Sequence, residues 1–183
     1  DRFLLSSHLA ESARAVADDK GISATAVYTY LANMLSSGGR SIAYSAVSAL
    51  GAWSKRSSDT DLRAFDAQQV DLPSLGSMLL TREAAKRLAT QPGDSITVRF
   101  FDVDGGAAYQ ETTTSFVLGE TVRIEGLGGD ASLTPDFPGL HDADNMADWD
   151  APFPVDYGRI EDADEDYWDR HRATPRAFIA LED

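Results

Sequence analysis

Residues 77–101, SMLLTREAAKRLATQPGDSITVRFF, carry the deciding pattern. A short apolar run, Met78 to Leu80, leads through Thr81 into a segment of helix formers that starts at Arg82 and ends before Pro92 and Gly93. Pro-Gly-Asp then turns the chain into residues 95–103, where β-branched and aromatic residues alternate with polar ones. Ala, Lys, Arg and Leu lose little freedom in a helix, whereas Ile, Thr, Val and Phe suit a pleated surface. The reading is therefore strand, helix, strand. Asp-Gly-Gly at 104–106 turns the chain again, and 107–118 and 121–127 are expected to supply further strands.

The same order opens the chain. Phe3 to Leu5 reads as a strand, followed by a helix from Ser6 to Lys20 with Leu9, Ala13, Val16 and Ala17 on one face. Ser6 or Ser7 can cap its start and Gly21 closes its end. Residues 23–35 and 40–50, rich in small, β-branched and aromatic residues around Ser-Ser-Gly-Gly, read as a long hairpin. The polar interval 54–75 suits a surface connection. The expected fold class is α+β: two small strand-helix-hairpin subdomains with mixed or antiparallel sheets, residues 1–53 and 76–127, joined by 54–75. Beyond LLSS against LLTR the halves share little identity, so a duplication is only suggested. The chain begins within one apparent strand and stops just after another, which is the pattern expected of a piece of something larger.

The remainder, 128–183, has a different texture. From Gly128 to Gly158 periodicity disappears, and Pro135, Pro138, Pro152 and Pro154 stand among Phe137, Trp149, Phe153 and many aspartates. Loops of this length are uncommon unless they do something, and aromatic residues beside prolines pack onto a neighbouring surface at low entropic cost. The expectation is a long, ordered, acidic, aromatic and proline-rich loop, Gly128 to Asp156, lying across one subdomain. Residues 161–171 follow as a short helix whose first turn is acidic, as the helix dipole favours. Pro175 then introduces a last strand, Ala177 to Leu181.

The 183 residues include 43% hydrophobic side chains, enough for a core without staples. A formal charge of -14 opposes nucleic acid and anionic lipid alike. The absence of cysteine removes thiolate metal sites, disulfides and thiol nucleophiles, so any metal chemistry would be oxygen-based. No stretch approaches the roughly 18–20 apolar residues needed to cross a bilayer, and the N-terminus lacks the order of a signal peptide.

Three acidic clusters are candidates for calcium: Asp102 with Asp104; Asp142, Asp144, Asp148 and Asp150; and Asp162, Asp164, Glu165 and Asp166. The middle cluster is the best of the three, yet its spacing matches no ligand template, and the plain reading is a solvated loop. Paired carboxylates for glycoside hydrolysis are inevitable by chance among thirty acidic residues. His8, His141 and His171 lack metal-ligand spacing, no G-x-S-x-G elbow occurs, and the glycine pairs make no phosphate cradle. Val27, Tyr28, Tyr30 and Leu31 could form a docking stripe, although such residues more often line a core.

Several runs in order resemble the extracytoplasmic part of the MacB-like, FtsX-like permeases of ABC transporters. They are DRFLL, TYLANMLSSGGRSIAYSAVSAL, LLTREAAKRLATQPGDSITVRFFD, LTPDFPGL, ADWDAPFPVD and DEDYWDRHRATPRAFIAL, and together they span almost the whole chain. The resemblance implies a periplasmic domain of a membrane protein, with transmembrane helices on either side and a separate cytoplasmic ATPase subunit that binds ATP. It implies no enzyme activity and no cofactor in this chain. The domain would transmit ATP-driven motion within a dimeric or heteromeric transporter and contact substrate or partner proteins. Trp149, Phe153, Tyr167 and Trp168 are the candidate contact residues. The alternatives are a calcium-dependent binding or adhesion module using Asp142 to Asp150 and a carboxylate-based hydrolase.

Overall fold

The computed structural model describes residues 6–22, 24–52, 70–102, 109–137 and 139–182. The strand expected at Phe3 to Leu5, most of the 54–75 connection and the turn at 104–106 lie outside the described residues. Helix α1 runs Ser7–Lys20: Ser6 Oγ accepts from Leu9 N at 3.4 Å, and Gly21, at φ 62°, donates to the last carbonyls. Of its expected apolar face only Ala17 is buried, and Leu9 and Val16 are 52% and 57% exposed.

Strands β1, Thr25–Ser37, and β2, Arg40–Ala52, form the long hairpin. Its two-residue turn places Gly38 and Gly39 at φ 56° and 83°, the left-handed pair that matches the twist of a tight hairpin. Strand β3, Ser77–Thr81, leads into α2, Arg82–Leu88, whose first turn is capped by Thr81 Oγ1 accepting from Ala84 N at 3.2 Å. Strands β4, Ser95–Asp102, and β5, Gln110–Val122, follow, then helix α3, Asp162–His171, and β6, Ala177–Ala180.

These six strands close into one barrel in the order β1-β2-β6-β3-β5-β4, with β4 returning to β1. The α+β class holds; the two small sheets do not. Strand β6 runs parallel to β2 and antiparallel to β3, so the hairpin and the strand-helix-strand unit share a single sheet. The physical reason lies in β3 and β6. Met78, Leu79, Leu80, Ala177 and Phe178 are all 3% exposed or less, so both faces of these strands need cover and both edges need partners. Only closure supplies all four.

Two strands expected between 107 and 127 are one. The register of β5 against β3 shifts between Met78 and Leu79, which leaves Gly119 as an extra residue in an otherwise continuous strand. Beyond Val122 the chain passes into 3-10 turns at Gly126–Gly129 and Ala131–Leu133.

Leu35, Ile42, Met78, Leu80, Ile96, Val98, Phe116 and Leu118 fill the barrel, and Ala84, Ala85 and Leu88 of α2 pack into the same core. Burying each large side chain contributes about 1.5–3 kcal/mol. A second cluster forms outside the barrel, where Ala43 and Tyr44 of β2 meet Leu140, Met146, Trp149 and Trp168. It is the foundation on which residues 137–173 rest.

Candidate functional site: an aromatic cleft along a strand edge

Strand β1 is paired with β2 along its length, from Thr25↔Ala52 to Ser37↔Arg40. Among the described residues its other edge pairs with β4 at Met34↔Arg99, Leu35↔Val98 and Ser36↔Thr97. Along this seam the Tyr30 hydroxyl donates to the Phe101 carbonyl. A cleft of about 1020 Å³ occupies this seam, at the upper end of the size of ligand pockets.

The cleft wall is largely aromatic and apolar, built by β1 residues Val27 to Leu31, by Phe101 and Tyr109, and by Leu133, Pro135, Phe137, Pro152 and Phe153. Phe101 stacks against Tyr109 and Phe153 with ring centroids 5.5 and 6.4 Å apart. Polar groups hold the far wall in place. Thr29 Oγ1 donates to the Leu133 carbonyl at 2.5 Å and lies 2.6 Å from Ser48 Oγ, while Tyr109 donates to the Pro152 carbonyl at 2.5 Å. At the mouth, Glu111 accepts from Asn33 Nδ2 at 3.0 Å and from Arg159 at 3.2 Å. Burial tends to raise the Glu111 carboxyl, but these donors outweigh it and hold it low. Burial pushes the Tyr30 phenol up, so it remains a neutral donor.

The wall segment closes on itself at Gly139, where Asp150 N donates to the Gly139 carbonyl at 2.8 Å. Gly139 sits at φ +80°, and a Cβ there would lie 2.0 Å from the Asp150 carbonyl oxygen. Only glycine fits. Behind it, Trp149 packs edge-on against Tyr44 and Trp168, with centroids 5.8 and 5.1 Å away. Asp156 N donates to the Tyr44 hydroxyl at 2.6 Å, and the Tyr157 hydroxyl donates to the Trp149 carbonyl at 2.6 Å.

A buried ionic centre fastens α3 to the barrel. Asp164, 0% exposed, accepts a two-pronged contact from Arg87 of α2 at 2.5 and 2.8 Å and a third from Arg176 at 2.9 Å. Glu161 N donates to the same carboxylate at 3.1 Å, completing the cap of α3. Arg176 lies 3.8 Å from the Tyr167 ring centroid and, through its backbone, bridges Ala46 of β2 to Thr81 of β3. Burial works to raise Asp164, but the Arg87 hydrogen bonds and the Arg176 charge prevail and hold it below the usual carboxylate range. Burial pushes Tyr167 up to about 12.

Compared with known proteins, the chain matches no family model and no curated protein. No helix among the described residues is long and apolar enough to cross a membrane.

The sequence candidates land in three places. Trp149, Tyr167 and Trp168 are each 4% exposed and belong to the interior, so their side chains offer no surface to a partner. Phe153 lines the cleft. Asp142, Asp144, Asp148 and Asp150 are exposed and separate; Asp148 is bound to Asn145 Nδ2 at 2.6 Å, and Asp150 borders the cleft. Among the described residues no three acidic or imidazole groups converge on a metal position. Glu165 accepts from Met146 N and Ala147 N at 2.9 and 3.2 Å, capping the short turn beneath Trp149. Asp104 lies outside the described residues. His8 is exposed, His141 Nδ1 accepts from Phe137 N at 2.9 Å, and His171 stacks near Tyr167.

The docking stripe, Val27, Tyr28, Tyr30 and Leu31, does meet the cleft. Tyr109 was missed because it follows a glycine-rich turn and carries no periodicity. Arg87 and Arg176 were missed because a charged residue on a short helix or before a strand reads as surface, and Asp164, a calcium candidate in sequence, is instead bound by these two arginines. The one available signal was Arg176 beside Pro175, immediately ahead of the apolar run Ala177 to Ala180.

Proposed function

We propose that this chain is a non-catalytic extracytoplasmic domain of an ABC transporter permease, and that the aromatic cleft is where it contacts a substrate or partner protein. The observation that carries the contact role is the division of labour within the cleft. Four of its polar side chains, Thr29, Asn33, Tyr30 and Tyr109, are engaged in holding the walls, so that apart from Tyr28, Ser132 and Asp150 the lining is aromatic and apolar. Such a surface suits recognition by shape and apolar contact. The permease context is supported by the ordered runs that resemble that family, in which ATP is bound by a separate cytoplasmic subunit and the outer domain moves with the membrane helices.

In this reading the ionic centre at Asp164 and the barrel make one stiff body able to pass force between the membrane part and the cleft. The domain stands on the periplasmic face as part of a dimeric or heteromeric transporter. The test is the sequence of the complete protein around this segment. Apolar runs of about 20 residues upstream and downstream are expected, and a protein without them is not a permease of this kind.

A further inference from the structure

One nitrogen in the cleft wall has two claimants. His141 Nδ1 accepts from Phe137 N at 2.9 Å, and an Asp136 carboxylate oxygen lies 3.3 Å from the same atom. A neutral imidazole has one accepting nitrogen, and spending it on Phe137 leaves the ring proton on Nε2. In that state the Phe137 amide is satisfied, while the Asp136 carboxylate, which has no hydrogen to donate, is left to water at 89% exposure. A second proton on the ring makes Nδ1 a donor. It then suits the carboxylate and opposes the Phe137 N–H, which meets it with a hydrogen of its own. The two bonds cannot share one nitrogen.

The contact sits where a small change reaches the cleft. Phe137 lines the cleft, packs on the cluster of Tyr44, Trp149 and Trp168, and lies beside the His141 ring with centroids 6.2 Å apart. Its carbonyl accepts from Leu140 N and His141 N at 3.1 and 3.3 Å, so the imidazole bond and two backbone bonds close one turn. Through the Gly139 carbonyl that turn is tied to Asp150, which also borders the cleft. The imidazole is a quarter exposed, so protons reach it from solvent. Around it, Asp142 and Asp144 follow on its own segment, and Asp150 stands across the Gly139 bond. Of the charges beneath Phe137, Arg172 is held by the Ala143 and Asp144 carbonyls, and Arg176 and Asp164 are held by each other. Glu165 of α3 is held by Met146 N and Ala147 N. Among the described residues Asp136 is the one charged group within ion-pair distance of the ring.

We propose that His141 is a proton-operated latch on the cleft wall. Neutral, it holds the Phe137 amide and closes the turn; protonated, it passes to Asp136 and frees the peptide between Asp136 and Phe137, which reshapes the lining at Phe137. The use of the latch in recognition rests on the cleft being the contact site. The exchange of partners does not, and the permease reading falls separately on the absence of flanking membrane spans.

The full chain, labelled with nitrogen-15, is titrated from about pH 8 to about pH 5, the interval in which imidazole charge changes, while the His141 ring nitrogens and the Phe137 amide are followed. At the upper end Nδ1 should resonate as the unprotonated, accepting nitrogen and Nε2 as the N–H. As the ring protonates, the Phe137 amide should shift with the same midpoint, and its hydrogen exchange, corrected for the intrinsic effect of pH, should quicken about tenfold relative to Asp150 N. D136N keeps the neutral contact but gives the protonated ring no carboxylate, so both midpoints should move together to lower pH. H141Q should abolish the Phe137 transition, with His8 and His171 as internal controls. A Phe137 amide that ignores His141 protonation, an unchanged midpoint in D136N, or a Phe137 transition that survives in H141Q would overturn the proposal.

Discussion

Asp164 has no contact with solvent, and its charge is tolerated because Arg87, Arg176 and the Glu161 amide supply its hydrogen bonds. Removing it strands two guanidinium groups, one of them 4% exposed. D164A should lower unfolding free energy by about 3–5 kcal/mol, measured by urea titration. The pH dependence follows from the direction of the shift. Because the folded carboxyl is held below its unfolded value of about 4, its contribution is complete above that pH and disappears as pH falls through the lower folded value. Thermal melts between neutral pH and pH 2 should therefore fall more steeply for the wild type than for D164N, and parallel curves would remove the ionic centre from the account. Gly139 offers a second residue-scale test. G139A, which places a Cβ 2.0 Å from the Asp150 carbonyl oxygen, should cost about 1–3 kcal/mol and shift the resonances of the cleft wall while leaving the barrel strands unchanged.

At the scale of elements, the helices and strands with strong local signals were readable. The Gly-Gly turn, the Thr81 cap and the alternation from Ser95 to Asp102 each encode their own geometry. What was not readable is pairing. Nothing in AFIA says that it inserts between β2 and β3, because its partners are set by non-local burial of Phe178 and Ala177. Gly119 looked like a strand end and is a bulge, a distinction fixed by β3 across the ladder. In the 128–158 segment, composition announced packing aromatics but not which side they face: Trp149 went inward against Tyr44 and Trp168, and Phe153 went to the cleft. W149A should consequently destabilise the chain by about 3–5 kcal/mol, whereas F153A, partly exposed at the cleft, should cost far less. Equal losses of stability in both variants, measured by denaturant titration, would contradict this division.

The described residues of this acidic chain form a barrel closed by pairing, with β4 returning to β1. Its charge does not assemble a metal position among the described residues, so millimolar calcium should leave the melting temperature unchanged; a rise of several degrees would revive the aspartates of 142–150 as ligands. The cleft itself was half legible in sequence, as a stripe of tyrosines and aliphatics on one strand. That the stripe borders a cleft depends on residues 133–153 returning across β1, which local pattern cannot encode. Residue-resolved amide hydrogen exchange along β6, in the free protein, tests the closure of the barrel most directly. Ala177 to Ala180, paired with β2 on one side and β3 on the other, should be protected about as strongly as those two strands. Fast exchange along β6 would mean that the hairpin and the strand-helix-strand unit do not share one sheet.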